Sequence, residues 1–158
     1  MVTVRLEPMS PEQYDAYRVT AEDDYAQSFI DSGSMPEAEA REKARTDFER
    51  ILPDHMATEG HVFWTAYDAE SDQQVGMLWL HLRPSSEGLS AFGYDFSVRE
   101  DLRRSGYGRA IMQAAEDECR RRGVVSVGLN VSGHNLGAQA LYEQMGFVVT
   151  SIQMSKKL

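Results

Sequence analysis

Hydrophobic positions change their spacing several times along the chain, and each change marks an element. Thr3 to Leu6 alternates like a short strand. Ser10, Pro11 and Gln13 then read as N-cap, first-turn proline and capping-box partner. Tyr14, Tyr17, Ala21, Tyr25 and Phe29 recur at helical spacing, which predicts a helix or helix pair to about Ile30. A turn at Asp31 to Ser34 follows, and Pro36 opens a second helix. Its stripe is Ala40, Ala44, Phe48 and Ile51, and Pro53 ends it.

From Val62 the period falls to two. Val62 to Tyr67 and Val75 to Leu82 read as strands joined by the polar turn Asp68 to Asp72. Pro84 to Gly88 reads as a loop into a third strand ending at Val98. There Phe92, Tyr94, Phe96 and Val98 share one face, and strict alternation puts Asp95 on the other. Short connections make these three strands an antiparallel meander. Tyr107, Ala110, Ile111, Ala114, Ala115 and Cys119 then give a helix with one buried stripe. Arg120 to Arg122 suit its C-terminal dipole, and Gly123 suits a left-handed cap. A strand at Val124 to Val131, a helix from about Asn135 to Met145 with Gly146 as cap, and a last strand from Phe147 to about Met154 complete the order β-αα-βββ-α-β-α-β. That order is α+β, with one central mixed, mostly antiparallel sheet flanked by helices.

Length and composition narrow the class. At 158 residues, 42% hydrophobic and 26% charged, the chain reads as one soluble domain over residues 1–158. No repeat, linker or low-complexity tract interrupts it. The most apolar run, Val75 to Leu82, is short and contains His81, so no membrane span is expected. The N-terminus lacks an apolar signal core. The single cysteine, Cys119, lies in the apolar stripe and reads as packing; with no disulfide possible, a cytoplasmic location is expected. Residues 1–60 carry 14 acidic and 6 basic side chains, net −8, and residues 61–158 carry 11 and 10, net −1. The first part would repel a nucleic acid. It could attract a cationic amine, or simply be solvated helix surface.

The stretch with the most chemistry is Arg103-Arg-Ser-Gly-Tyr-Gly-Arg109, between the strand ending at Val98 and the following helix. The first N–H groups of a helix have no internal partner and sit at the positive end of its dipole. Glycines allow close backbone approach, and three guanidiniums add charge-assisted donors, so a phosphate or pyrophosphate suits the turn. An ordinary strand-to-helix turn with solvated arginines is the alternative. No P-loop pattern occurs, and a dinucleotide Gly-x-Gly-x-x-Gly fails because Ile111 stands three after Gly108.

Arg103 to Gly108, as Arg-x-x-Gly-x-Gly, resembles the acetyl-CoA pyrophosphate loop of the GNAT superfamily of N-acetyltransferases. Leu129 to Phe147 resembles that superfamily's second signature, Asn…Ala…Leu-Tyr-Glu…Gly-Phe. The resemblance is strong over residues 90–155, an acetyl-CoA-binding core, and weak over residues 1–60, where the superfamily varies with its acceptor. It implies acetyl-CoA as co-substrate and a small or peptidic amine as acceptor, and is compatible with a homodimer. It implies that the acetyl group and pantetheine lie between the strands ending at Val98 and near Val131. Backbone groups of Phe96, Ser97 and Val98 would bind the pantetheine, and N–H groups from Arg104 to Arg109 the pyrophosphate. Asn130 joins the cofactor set, at a position that is often a glutamate base in enzymes acting on protein N-termini. Asn135 matches the motif's asparagine, although it could equally be a helix N-cap.

Acetyl transfer to an amine needs a neutral amine, a stabilised oxyanion and a protonated leaving thiolate. The resemblance implies Tyr142 as general acid to the CoA sulfur; alternatively it is a core aromatic. Asp95, the only carboxylate in its strand, is the candidate base, directly or through water, or else a solvent-facing aspartate. His61, His81 and His134 are alternatives. No metal-ligand spacing appears, so no metal is expected. A non-catalytic acyl-CoA sensor on the same fold and a nucleotide-binding module are the competing readings.

Overall fold

The computed structural model describes residues 1–158. Its elements are β1 (Val4–Pro8), α1 (Pro11–Asp31), α2 (Glu37–Ile51), β2 (His61–Asp68), β3 (Gln74–Ser85), β4 (Gly88–Val98), α3 (Tyr107–Arg121), β5 (Val124–Leu129) and α4 (Leu136–Gln144). One five-stranded sheet runs in the order β1-β2-β3-β4-β5. The first three pairings are antiparallel and β4–β5 is parallel. The expected mixed α+β sheet is therefore present.

The start of α1 follows from its local sequence. The Ser10 hydroxyl accepts from the Gln13 N–H at 3.1 Å, and the Gln13 side chain accepts from the Ser10 N–H at 2.9 Å. Such a cap stabilises a helix by about 1 kcal/mol. The Gln13 amide also donates to the Tyr67 hydroxyl at 2.8 Å, which ties α1 to β2. Small residues then set the α1–α2 approach: Ala26, Ala40 and Ala44 are all buried against each other.

Helices cover both faces of the sheet, so β3 is apolar without a break from Val75 to Leu80. Met77 and Trp79 pack with Tyr14, Phe48, Leu52 and Phe63 under α1 and α2. Leu78 and Leu80 pack with Met112, Ala115 and Cys119 under α3. Burial raises the Cys119 thiol pKa, in keeping with a packing role.

Two expectations change. The loop expected at Pro84 to Gly88 is mostly strand, because the β3–β4 ladder continues through Pro84–Leu89 to Ser85–Gly88. Proline is tolerated there because β2 pairs with β3 only as far as His81, leaving that edge of β3 free. The last strand, expected from Phe147 to about Met154, does not form. The Phe147 N–H is held by the Tyr142 carbonyl at 2.9 Å, and residues 148–158 make no further backbone hydrogen bond.

The aromatic face under α1 sets one acid sensitivity. His61 stacks on His81 at 4.1 Å, and its Nδ1 accepts from the Trp79 indole at 2.9 Å. Burial, and secondarily the His81 charge, lowers the His61 pKa to about 4. Burial also lowers His81, whose Nδ1 is buried without a partner. An unfolded histidine titrates near about 6.5, so the unfolded chain takes up protons that the fold excludes. The histidine contribution is complete above that pH and is lost as pH falls towards 4. A urea midpoint measured against pH should drop through this window. In His61→Gln, whose amide oxygen still accepts from Trp79, the slope should flatten; an unchanged slope would exclude His61 as its source.

Candidate active site

The site begins where β4 and β5 part. Their parallel pairing runs from Leu89–Val124 to Gly93–Leu129 and stops, while β4 continues to Val98 paired with β3 only. At the same level β4 carries a bulge. Trp79 lies opposite Asp95 and Leu80 opposite Gly93, so Tyr94 is the extra residue. The parted strands enclose a cavity of about 210 Å³, lined among others by Tyr94, Asp95, Phe96, Asn130, Asn135 and Tyr142.

The bulge reverses the alternation expected for Asp95. The Tyr94 ring stacks on Trp79 at 4.7 Å, on the α1 face, and Asp95 turns to that face as well. Its Oδ2 accepts from the Tyr17 hydroxyl of α1 at 2.6 Å, and its Oδ1 from the Phe96 N–H at 2.9 Å. Burial and then the Asp95 charge raise the Tyr17 pKa, so Tyr17 remains a donor. The Phe96 N–H is thereby engaged within the protein, unlike the free strand group the sequence led one to expect.

Tyr142 enters from α4. Burial, and then the Asp95 charge, raises its pKa, so its phenol stays protonated at neutral pH. Its ring packs on Phe147 at 5.5 Å between centroids. At the head of α4 the Asn135 side chain accepts from the Ala138 N–H at 3.1 Å, so its capping role is present. The amide NH2 group remains available to the cavity.

The phosphate-type turn lies beyond Val98. Arg104 and Gly106 both adopt positive φ, 64° and 88°, and Gly106 caps α3 without a side-chain bond. The N–H groups of Arg104, Ser105, Gly106, Tyr107, Gly108 and Arg109 donate to no backbone carbonyl. Arg103, Arg104 and Arg109 form no ion pair; Arg109 instead donates to Gln144 at 2.6 Å. Every other arginine except Arg83 is paired with a carboxylate. Unpaired cations around open N–H groups form a ready anion cradle. The Tyr107 hydroxyl donates to Asp68 at 2.8 Å and anchors the cradle to the end of β2. The N–H of Ser71, then Tyr107 and the N–H of Glu70, hold the Asp68 carboxyl down at about 2.

The structure thus gathers Asp95, Phe96, Asn130, Asn135 and Tyr142 around one cavity. Ser97 and Val98 extend β4 toward the cradle of Arg103 to Arg109 and do not line that cavity. His61 and His81 stand in the aromatic cluster with Trp79 and Tyr94, and His134 is exposed. Tyr17 was missed as a site residue. Its spacing marks only a buried helix face, and its partner lies 78 residues away. A shallower hollow of about 550 Å³ on α2 is lined mainly by polar side chains such as Glu39, Glu42 and Asp47. It carries no cluster of unpaired reactive groups, and we place the site at the strand parting. No three His, Cys, Asp or Glu side chains come together as a metal site.

The structure therefore presents a cleft between parted strands, lined by Tyr142 and Asp95, with the turn of Arg103 to Arg109 following the end of β4. Comparison with known proteins supplies the class. The family model described as "Acetyltransferase (GNAT) family" matches residues 15–147. The uncharacterized N-acetyltransferase YycN of Bacillus subtilis (strain 168) is 34% identical over 157 residues, covering 99% of this chain and 100% of YycN. YdgE of the same organism, also an uncharacterized N-acetyltransferase, is 32% identical over 153 residues, covering 97% of each. The crystal structure of YycN superposes with a TM-score of 0.89 over 99% of both chains. The chain belongs to the GNAT family and is an acyltransferase.

Proposed function

We propose that this protein transfers the acetyl group of acetyl-CoA to a primary amine by direct attack, with Asp95 taking the amine proton and Tyr142 protonating the CoA thiolate. The observation that carries this reading is the turn of unpartnered N–H groups that follows β4, the strand whose Asp95 lines one cavity with Tyr142. Bound acetyl-CoA supplies an activated thioester carbonyl. The cradle of residues 103–109 holds the pyrophosphate, and Ser97, Val98, Asn130 and Asn135 orient the pantetheine. The amine nitrogen bonds to the carbonyl carbon and the carbon–sulfur bond breaks. The proton lost by the amine passes to Asp95, directly or through water, and the Tyr142 proton goes to sulfur. The products are the acetylamide and free CoA.

In this reading residues 1–60 form the acceptor side, since α1 supplies Tyr17 to the site and residues 90–155 hold the co-substrate. Much of the acidic charge on α1 and α2 is already paired with Arg18, Arg41, Lys43, Arg45 and Arg50. We therefore assign amine positioning to the cavity and not to that surface.

The direct test is release of free thiol from acetyl-CoA across a panel of primary amines. Thiol released only with an amine, together with the acetylated product, supports the proposal. Tight acetyl-CoA binding without transfer to any amine would favour the sensor reading. Tyr17→Phe gives a second expectation. A hydrogen bond to a charged group contributes about 1.5–3 kcal/mol. The variant should lose roughly 10- to 100-fold in kcat/KM while binding acetyl-CoA normally. An undiminished kcat/KM would remove Asp95 as the base that Tyr17 positions.

A further inference from the structure

The sheet face turned toward α1 is only half covered. α1 and α2 pack on Phe63, Met77 and Trp79. Alternation carries His81 and Arg83 of β3 onto the same face, with Phe92 of β4 opposite His81. Neither Phe92 nor Tyr94 joins the packed core on either side of the sheet, and Tyr94 is 41% exposed. The rings still form one continuous surface. Tyr94 lies on Trp79 at 4.7 Å between centroids and 18° between planes. It stands edge-on to Phe92 at 5.6 Å and beside His61 at 5.6 Å, the ring stacked on His81. Tyr94 and Asp95 both line the cavity, so this surface begins at the proposed reacting centre. At its far end the Arg83 guanidinium sits 5.7 Å from the Phe92 centroid. Arg83 is the one arginine outside the cradle with no carboxylate partner.

We propose that this surface selects the acceptor, a small zwitterion with its primary amine at Asp95, a flat apolar middle on Tyr94 and Phe92, and an anionic group at Arg83. The inference rests on the acetyl-transfer reading of the cavity. Charge complementarity identifies the occupant. Burial lowers the pKa of both histidines, that of His61 to about 4, so near neutral pH the middle of the surface is uncharged. Charge remains only at the two ends, negative at Asp95 and positive at Arg83, which is the reverse of the ligand's own pattern. The exposed face of Tyr94 offers a ring an offset-stacking partner. Spacing sets the ligand's length. Arg83 stands four residues beyond Trp79, the residue opposite Asp95, which is about 13 Å of strand at about 3.3 Å per residue. An α-amino acid carries its two charges one carbon apart and cannot meet both ends. A benzene ring with an aminomethyl group and a carboxylate in para positions separates them and keeps them in line. Held at both ends, such a ring fixes the amine before it attacks.

The test is calorimetric titration of the full chain, saturated with CoA, with three probes. These are para-(aminomethyl)benzoate, benzylamine, which lacks the acid, and ε-aminocaproate, which lacks the ring. The zwitterionic ring compound should bind about 10-fold more tightly than either, the step that one charge-assisted hydrogen bond or one favourable ring stack supplies. Arg83→Gln should bring para-(aminomethyl)benzoate to the affinity of benzylamine and leave benzylamine itself unchanged. Tyr94→Leu should remove the advantage of the ring compound over ε-aminocaproate. Both side chains are exposed, and melting of each variant checks that the fold is kept. In acetyl transfer, Arg83→Gln should raise KM for para-(aminomethyl)benzoate with kcat unchanged, the mark of a contact equal in ground and transition states. Selective binding without acetylation counts against the reaction proposed for the cavity and supports the subsite. Absence of binding, equal affinity for all three probes, or a preference indifferent to Arg83→Gln or to Tyr94→Leu overturns the proposal.

Discussion

Replacing Tyr142 with phenylalanine is expected to leave the fold and acetyl-CoA binding intact and to reduce turnover by roughly 10²–10⁴-fold, the range for loss of a general acid. The fold should survive because the ring, half-buried against Phe147, is unchanged and the hydroxyl has no hydrogen-bond partner within the protein. Turnover should fall because the raised Tyr142 pKa keeps a proton available where the thiolate leaves. A thiol's own pKa near about 8.5 makes its anion a tolerable leaving group, which argues for the lower end of the range. The alkaline limb of the pH–rate profile should vanish with the phenol. Thermal melting, acetyl-CoA titration and steady-state kinetics on one preparation decide the matter. A melting temperature that collapses would make Tyr142 a packing residue, and unchanged turnover would mean that the thiolate leaves unaided.

Gly108→Val should abolish stabilisation by acetyl-CoA. For the parent protein, mass action gives about 2.7 kcal/mol at a hundredfold excess over the dissociation constant. A Cβ at Gly108 would stand 3.3 Å from Leu141 Cδ2, 3.7 Å from Phe96 Cζ and 3.9 Å from Val98 Cγ2. The extra methyls of valine would wedge the first turn of α3 away from β4 and α4, turning the cradle's N–H groups off their common target. The unliganded protein should therefore also melt lower. Arg104→Gly separates the two effects. Arg104 holds φ 64°, a conformation that costs a non-glycine residue about 1 kcal/mol and glycine little. That variant keeps the backbone N–H, should melt no lower than the parent, and should bind acetyl-CoA more weakly with a shallower salt dependence. An undiminished acetyl-CoA shift in Gly108→Val would mean that this turn is not the pyrophosphate site.

Most of the cradle was legible in the sequence. Its determinants act within one turn of chain: the end of a strand, Gly106 in a left-handed position, and a helix whose first N–H groups face outward. The capping box of α1 and the helix stops were legible for the same reason, as with Ser10 and Gln13 at the head of α1 and the positive φ of Gly123 and Gly146. The proposed catalytic end was only half legible. Tyr142 and Asp95 could be named, but the face on which Asp95 sits could not. Alternation predicts the wrong face, because the bulge at Tyr94 inserts a residue with no partner on β3.

By itself, then, the sequence determined the order of elements as far as α4, the helix ends and the Gly-rich turn between β4 and α3. These depend on interactions between residues at most a few positions apart. Tertiary structure alone decided that Tyr17 meets Asp95 across 78 residues, that β3 and β4 run on through Pro84, and that β4 and β5 part after Gly93 and Leu129. It also decided the fate of residues 148–154. Their sequence is that of a strand, but a strand's backbone donors and acceptors are satisfied only by a neighbouring strand, and pairing is not a property of the segment alone.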